Sequence, residues 1–177
     1  MEYISSDTNV WIDFHSIKEL GLPFRLNFTY IMNIDAIHNE LIEPEGLSDS
    51  LVSLGLKPVE LEIQELLMAD EWGVIYKRLS RYDRIALAIA KNRRIVLLTG
   101  DRALRNAAKS EDVSVIGTLG IMDMLLKEKK ITKGEYKACI KAFKKLNNGE
   151  VRLPSRELEY RLNNDWVEKN IINSKGA

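Results

Sequence analysis

Residues 97–108 read LLTGDRALRNAA. With Ile95 and Val96 before it, the apolar start has the length of one buried strand. The run breaks at Thr99-Gly100, where the glycine is expected to permit a sharp turn. An aspartate, Asp101, then stands where a cap is wanted before the helical segment RALRNAAKS. A strand that ends this way delivers a carboxylate to its own C-terminal end. The N-terminus has the same arrangement. YISSDTNVWI runs from Tyr3 into Asp7, and Val10, Phe14 and Ile17 follow at helical spacing.

The segments between these two points alternate in type. RLNFTYIMN has the aromatic and branched residues of a strand. DAIHNELIEP reads as a helix capped by Asp35 and stopped by Pro44. Glu45 to Pro58 reads as a short helix and a loop, and IQELLMADEWGVIYKRL as a helix with one internal glycine. In SRYD, Ser80 and Asp83 form a capping-box variant that opens the alanine-rich helix RIALAIAKN. VSVIGT is a strand ending in a turn, and LGIMDMLLKEKK is an amphipathic helix with lysines in its last turn. Strand alternating with helix predicts a three-layer α/β/α sandwich around a parallel sheet. Ligands in such sheets bind beyond the carboxyl ends of the strands, where Asp7 and Asp101 both fall. After Lys130 only helices are expected. The division is therefore a sheet domain at 1–130 and a helical extension at 131–177 packed on the same unit. Leu158, Leu162 and Trp166 form one stripe of that extension.

Composition narrows the function classes. The chain has 177 residues, 45% of them hydrophobic, and a formal net charge of zero. That argues against a basic coat protein for nucleic acid but leaves room for a local basic face. The single cysteine, Cys139, excludes an internal disulfide, and with two histidines it cannot build a zinc cluster. His15 and His38 form no spaced pair. The N-terminus has no secretory pattern, and no apolar run is long enough for a membrane span. A cytoplasmic protein that does not engage membranes is expected.

Four acids stand out: Asp7, Glu40, Asp83 and Asp101. Carboxylates gathered at one sheet edge repel, and a cation relieves that repulsion. Hard oxygen donors in this number favour Mg²⁺ or Mn²⁺. Taken singly, each acid also has a plain structural use. Asp83 and Asp101 can cap helices, and Asp7 can bond its own turn. Arg81, Arg84, Arg102 and Arg105 flank two of the acids. They could hold phosphates or be ordinary solvated charges.

Taken in order, SSDTNVWI, IHNEL, SRYDRIALAIA, LLTGDRALRNAA and VSVIGTLGIMDMLL resemble the PIN-domain nucleases. The nearest likeness is to the VapC-like toxins of prokaryotic toxin–antitoxin pairs, in the long DUF3368-type form with a helical C-terminal extension. The resemblance implies a Mg²⁺- or Mn²⁺-dependent ribonuclease whose acidic pocket is Asp7, Glu40, Asp83 and Asp101. Asn9 and Thr99 would line that pocket. Leu104 stands where some members carry a fifth acid. RNA is the implied substrate, with an antitoxin protein and a second copy of the chain as partners. The alternative is a catalytically silent PIN fold that binds RNA or protein. An aspartyl-nucleophile hydrolase is a weaker rival, because DTN lacks the D-x-D such enzymes favour.

Overall fold

The computed structural model describes residues 2–163. Its elements, in chain order, are β1 (Glu2–Ser6), α1 (Thr8–Ser16), a short 3₁₀ turn (Pro23–Arg25), β2 (Phe28–Asn33), α2 (Ile34–Glu40), α3 (Leu47–Leu54) and β3 (Lys57–Val59). Then come α4 (Ile63–Ile75), α5 (Arg81–Arg93), β4 (Val96–Leu98), α6 (Arg102–Ser110), β5 (Val115–Ile116), α7 (Thr118–Lys127), α8 (Lys133–Leu146) and α9 (Ser155–Leu162). The chain gathers into two compact units, one of Met1–Val10 with Asn27–Gly117, the other of Trp11–Leu26 with Thr118–Ala177.

The first unit holds the sheet. Its five strands lie in the order β3-β2-β1-β4-β5, and every pairing is parallel. This is the expected α/β class with a central parallel sheet. The chain adds β2 and β3 on one side of β1, then returns to add β4 and β5 on the other. The switch point is the β1–β4 pair. Its core explains why α5 is rich in alanine. Ile85, Ala86, Leu87, Ala88, Ile89 and Ala90 are all buried, together with Ile31, Leu97, Leu104 and Ala108. Small side chains let the helix axis come close while the branched ones fill the gaps.

Three local expectations change. The helix after β2 is capped by Asn33, whose side chain accepts from the Ala36 N–H, so Asp35 lies inside the first turn. The stretch read as helix and loop also holds the strand β3. It sits at the sheet edge, where Pro58 removes no ladder bond that a neighbour needs. Gly100 is not needed for a special conformation. Its backbone is not left-handed, and a side chain there would meet nothing within 4 Å. Thr99 shapes the turn instead, its hydroxyl accepting from the Asp101 N–H at 3.1 Å. The glycine inside α4, Gly73, has a spatial reason. The Arg84 guanidinium crosses it, and an added Cβ would lie 2.2 Å from Nη1.

The second unit is helical. Trp11 stacks on Phe24 with ring centroids 5.3 Å apart, and Phe14 meets Phe143 edge-on at 5.9 Å. Trp11 is fully buried, as core. Thr118, at the start of α7, donates to the buried Asp13 carboxylate at 2.5 Å. Burial pushes the Asp13 carboxyl up to about 6. α9 is tied to α7 by Arg161, which meets Asp123 through two nitrogens, while the Tyr136 hydroxyl donates to the same carboxylate. Leu158 is fully buried and Leu162 partly so, while Trp166 lies outside the described residues. Among the described residues, no helix is long and apolar enough to cross a membrane.

Candidate active site

Strand β1 carries two serines inward, and both are spoken for. Ser5 donates to the Ala86 carbonyl and Ser6 to the Ile31 carbonyl. The ladder continues one residue past the strand, because the Asp7 N–H donates to the Leu98 carbonyl at 2.9 Å. Asp7 therefore leaves the sheet at the switch point. It stands beside Thr99, whose own N–H is held by the Ile116 carbonyl.

Asp7 is buried and closely held. Its Oδ1 accepts from the Thr8 N–H at 2.7 Å. Its Oδ2 accepts from the Thr99 hydroxyl at 2.8 Å and from Asn9 Nδ2 at 3.0 Å. The two sequence-predicted pocket residues thus both bond the same carboxylate oxygen. Thr99 also accepts from the Asp101 N–H, which links the two strand-end acids through one hydroxyl. Asp101 caps α6, its Oδ1 accepting from the Leu104 N–H at 2.7 Å.

Glu40 reaches the site from the last residue of α2. The Thr8 hydroxyl donates to its Oε2 at 2.8 Å. Thr8 is the residue at this cluster that spacing does not single out. The sequence contains it inside DTN, but nothing local indicates that its side chain reaches across to Glu40. Asp83 is the third residue of α5 and completes a capping box. The Ser80 N–H donates to Asp83 Oδ2 at 2.7 Å, and the Asp83 N–H donates back to the Ser80 hydroxyl.

Electrostatics join three of the acids. The Asp7 carboxyl is pushed up to about 7, first by burial and then by the Asp83 charge, with Glu40 adding to it. Hydrogen bonds from Thr99 and Thr8 hold it down only in part. Burial also raises Glu40, against the bond from Thr8, and the Asp83 field raises it further. The set is oxygen-only and negative, which fits a hard divalent cation in donor type and in charge. Among the described residues, no three His, Cys, Asp or Glu side chains converge closely enough to hold such an ion as they stand. All four acids are turned toward protein donors: Asp7 toward Thr8, Asn9 and Thr99, Glu40 toward Thr8, Asp83 toward Ser80 and Asp101 toward Leu104.

The four arginines divide into two kinds. Arg84 is engaged in the fold, Nε donating to the Ser80 carbonyl and Nη1 to the Ala69 carbonyl. Arg105 reaches back to the Thr99 carbonyl at 3.1 Å, close over Gly117. Arg81 and Arg102 are exposed at the first positions of α5 and α6, Arg102 next in sequence to Asp101 and Arg81 two residues before Asp83.

No curated protein and no solved structure matches the chain. A family model described as PIN domain (DUF3368) matches residues 3–164, a span that includes every acid of the site. On that match and this fold, the chain belongs to the PIN-domain family.

Proposed function

We propose that this chain is a metal-dependent ribonuclease that hydrolyses RNA phosphodiester bonds, and that it serves as the toxin of a prokaryotic toxin–antitoxin pair. PIN domains are generally metal-dependent nucleases. The observation that carries the reading is Asp7. It is a carboxylate at the switch point of a parallel sheet, its proton affinity raised first by burial and then by the Asp83 and Glu40 charges, and it is joined through Thr99 to a fourth acid. The toxin role rests on the likeness of the DTN, LLTGDRALR and GTLGI segments to the VapC-like branch. The antitoxin is the expected protein partner.

Asp7, Glu40, Asp83 and Asp101 would hold Mg²⁺ or Mn²⁺. When bound, the ion supplies an acidified water and a counter-charge for the phosphate under attack. The chain's own part is positioning. Asn9 and Thr99 fix Oδ2 of Asp7, and Thr8 fixes Glu40. Glu40, half-buried and with raised proton affinity, suits the role of taking the proton from the attacking water. Arg81 and Arg102 stand where they could meet flanking phosphates, a contact that positions RNA without reading its bases. Residues 1–130 would form the nuclease and 131–177 its extension.

The absence of three convergent acids among the described residues favours a second reading. In it, the PIN fold is catalytically silent and binds RNA or protein. One assay separates the two: cleavage of RNA with and without Mn²⁺, beside Asp7→Asn. Cleavage that needs Mn²⁺ and vanishes in the variant supports the nuclease. RNA binding without cleavage at any Mn²⁺ concentration supports the silent module.

A further inference from the structure

Helix α6 starts at the candidate site and runs away from it along a cleft. Ala103, Asn106, Ala107 and Ser110 recur at i, i+3, i+4 and i+7, and all four line that cleft. The rest of the lining is the end of α4 and the turn after it, Ile75 to Leu79. The volume is about 420 Å³, within the range of small-ligand sites, roughly 300–1,000 Å³. Leu79 and Ala107 are buried and give it an apolar floor. Alanine at positions 103 and 107 leaves the space open, because a larger side chain on that face of α6 would fill it. One end of the cleft adjoins two of the acids. Ala103 is two residues beyond Asp101, and Leu79 precedes Ser80, whose N–H donates to Asp83.

The chemistry of the walls indicates the occupant. Tyr76 is held from two sides, its ring edge-on to Trp72 at 6.1 Å and its hydroxyl donating to Glu111 at 2.6 Å. A fixed aromatic ring beside an apolar floor suits a flat, unsaturated guest. The Asn106 side-chain amide is exposed and has no hydrogen-bond partner among the described residues, so it can offer a donor and an acceptor side by side. Adenine presents the matching pair. Lys77 and Arg78 are exposed and enter no ion pair among the described residues. They put positive charge at the rim, where a phosphate backbone would pass. We infer that this cleft receives one unpaired nucleobase of the RNA, adenine by preference. Within the nuclease reading, on which this rests, the cleft is the subsite that selects a base flanking the scissile phosphate. Roughly 10 Å of α6 separates Ala103 from Ser110, enough for one base with its sugar. A base enters only when it is unstacked, so the substrate strand is single-stranded there.

The test is fluorescence anisotropy of the full chain with labelled oligoadenylate, oligouridylate and the duplex of the two, in EDTA so that metal-dependent cleavage does not intervene. Thermal unfolding checks that each variant is folded. Oligoadenylate is expected to bind roughly tenfold more tightly than oligouridylate or the duplex. Ala103→Leu fills the cleft, and Asn106→Ala removes the paired donor and acceptor. Each should bring oligoadenylate down to near the oligouridylate affinity. Arg78→Glu should instead weaken both single strands alike. Equal affinity of the wild type for the two single strands overturns the inference. So does an adenine preference that Ala103→Leu and Asn106→Ala leave intact. Mn²⁺-dependent cleavage by the wild type is measured beside it, so the two readings fail separately. Cleavage without adenine selectivity keeps the nuclease and refutes the subsite. Adenine-selective binding without cleavage keeps the subsite and refutes the nuclease.

Discussion

Asp7→Asn separates what the carboxylate does for folding from what it does for catalysis. In the folded chain the Asp7 carboxyl is pushed up to about 7 from an ordinary value near 3.8. For an acid raised on folding, its stabilising contribution is fully present below the unfolded value. It is lost as pH rises through the folded one. Three units correspond to about 4 kcal/mol of penalty on the charged form, fully developed near pH 8. Asparagine removes that charge but turns an N–H₂ toward one of three donors, Thr8 N–H, Asn9 Nδ2 or Thr99 hydroxyl. That mismatch costs about 1–2 kcal/mol. In EDTA at pH 8 the variant should therefore be more stable than wild type by about 2–3 kcal/mol, or roughly 5–10 °C in Tm. At pH 5 the folded aspartate holds a proton that the unfolded one has lost, so about 1.6 kcal/mol of the penalty persists; it offsets the amide mismatch, and the two chains should melt close together. The assay is thermal unfolding in EDTA at both pH values, beside RNA cleavage with Mn²⁺, which the variant should lose. A variant no more stable than wild type at pH 8, or a stability difference that does not change with pH, would refute the reasoning.

Three further outcomes are expected. Mn²⁺ should raise the wild-type Tm by mass action, and Asp83→Ala should shrink that rise. The comparison is of the Mn²⁺-dependent increments, because losing the Ser80–Asp83 capping box lowers both baselines. Thr8→Val should weaken the Mn²⁺-induced rise and Thr8→Ser should restore it, since the serine hydroxyl can still donate to Glu40; equal rises in all three chains would mean Thr8 does not position Glu40. Arg93→Met should destabilise by about 3–5 kcal/mol in urea unfolding, because it strands the fully buried Glu65 carboxylate without its ion pair at 2.6 Å.

The parts of this fold that could be read from sequence are those whose signal is local. Strand β4 and helix α6 come out of LLTGDRALRNAA because an apolar run, a capping acid and a helical face follow one another without a gap. α5 is legible for the same reason, through its capping box and alanine run. Strand β3 was not legible. It has three residues, one of them proline, and exists because β2 offers an edge. The cap of α2 was placed two residues late, because Asn33 ends β2 and caps α2 at once, leaving no loop to mark the change. The site divides likewise. Asp7 and Asp101 announce themselves at strand ends. Thr8 and the engagement of Arg84 depend on partners 32 and 15 residues away, which no spacing rule reaches. The exposure of Ile63, Leu67 and Val74 on α4 was not legible, because apolar residues at helical spacing look like core in a one-dimensional reading.

The energetics of Asp7 bear on why a carboxylate stands there at all. Its structural duties are to accept three hydrogen bonds at the end of β1. A neutral acceptor of the same shape can meet two of them without a buried charge. The fold instead keeps an acid at this point and sets Asp83 and Glu40 where their fields oppose its ionisation. Helix capping accounts for Asp83 and Asp101 one at a time, but it does not account for the Asp83 field at Asp7 or for the Thr99 hydroxyl that links Asp101 to it. Nothing in the first unit's core requires negative charge at the β1–β4 switch point, where the neighbours are apolar strands and hydroxyls. Burial sets the largest part of the cost of ionising Asp7, and the Asp83 and Glu40 fields add to it; a cation bound there would offset that cost. If the site takes a cation as proposed, the chain gains stability on binding it, and the Mn²⁺-dependent melting shift measures that gain directly, whether or not a particular RNA is cut.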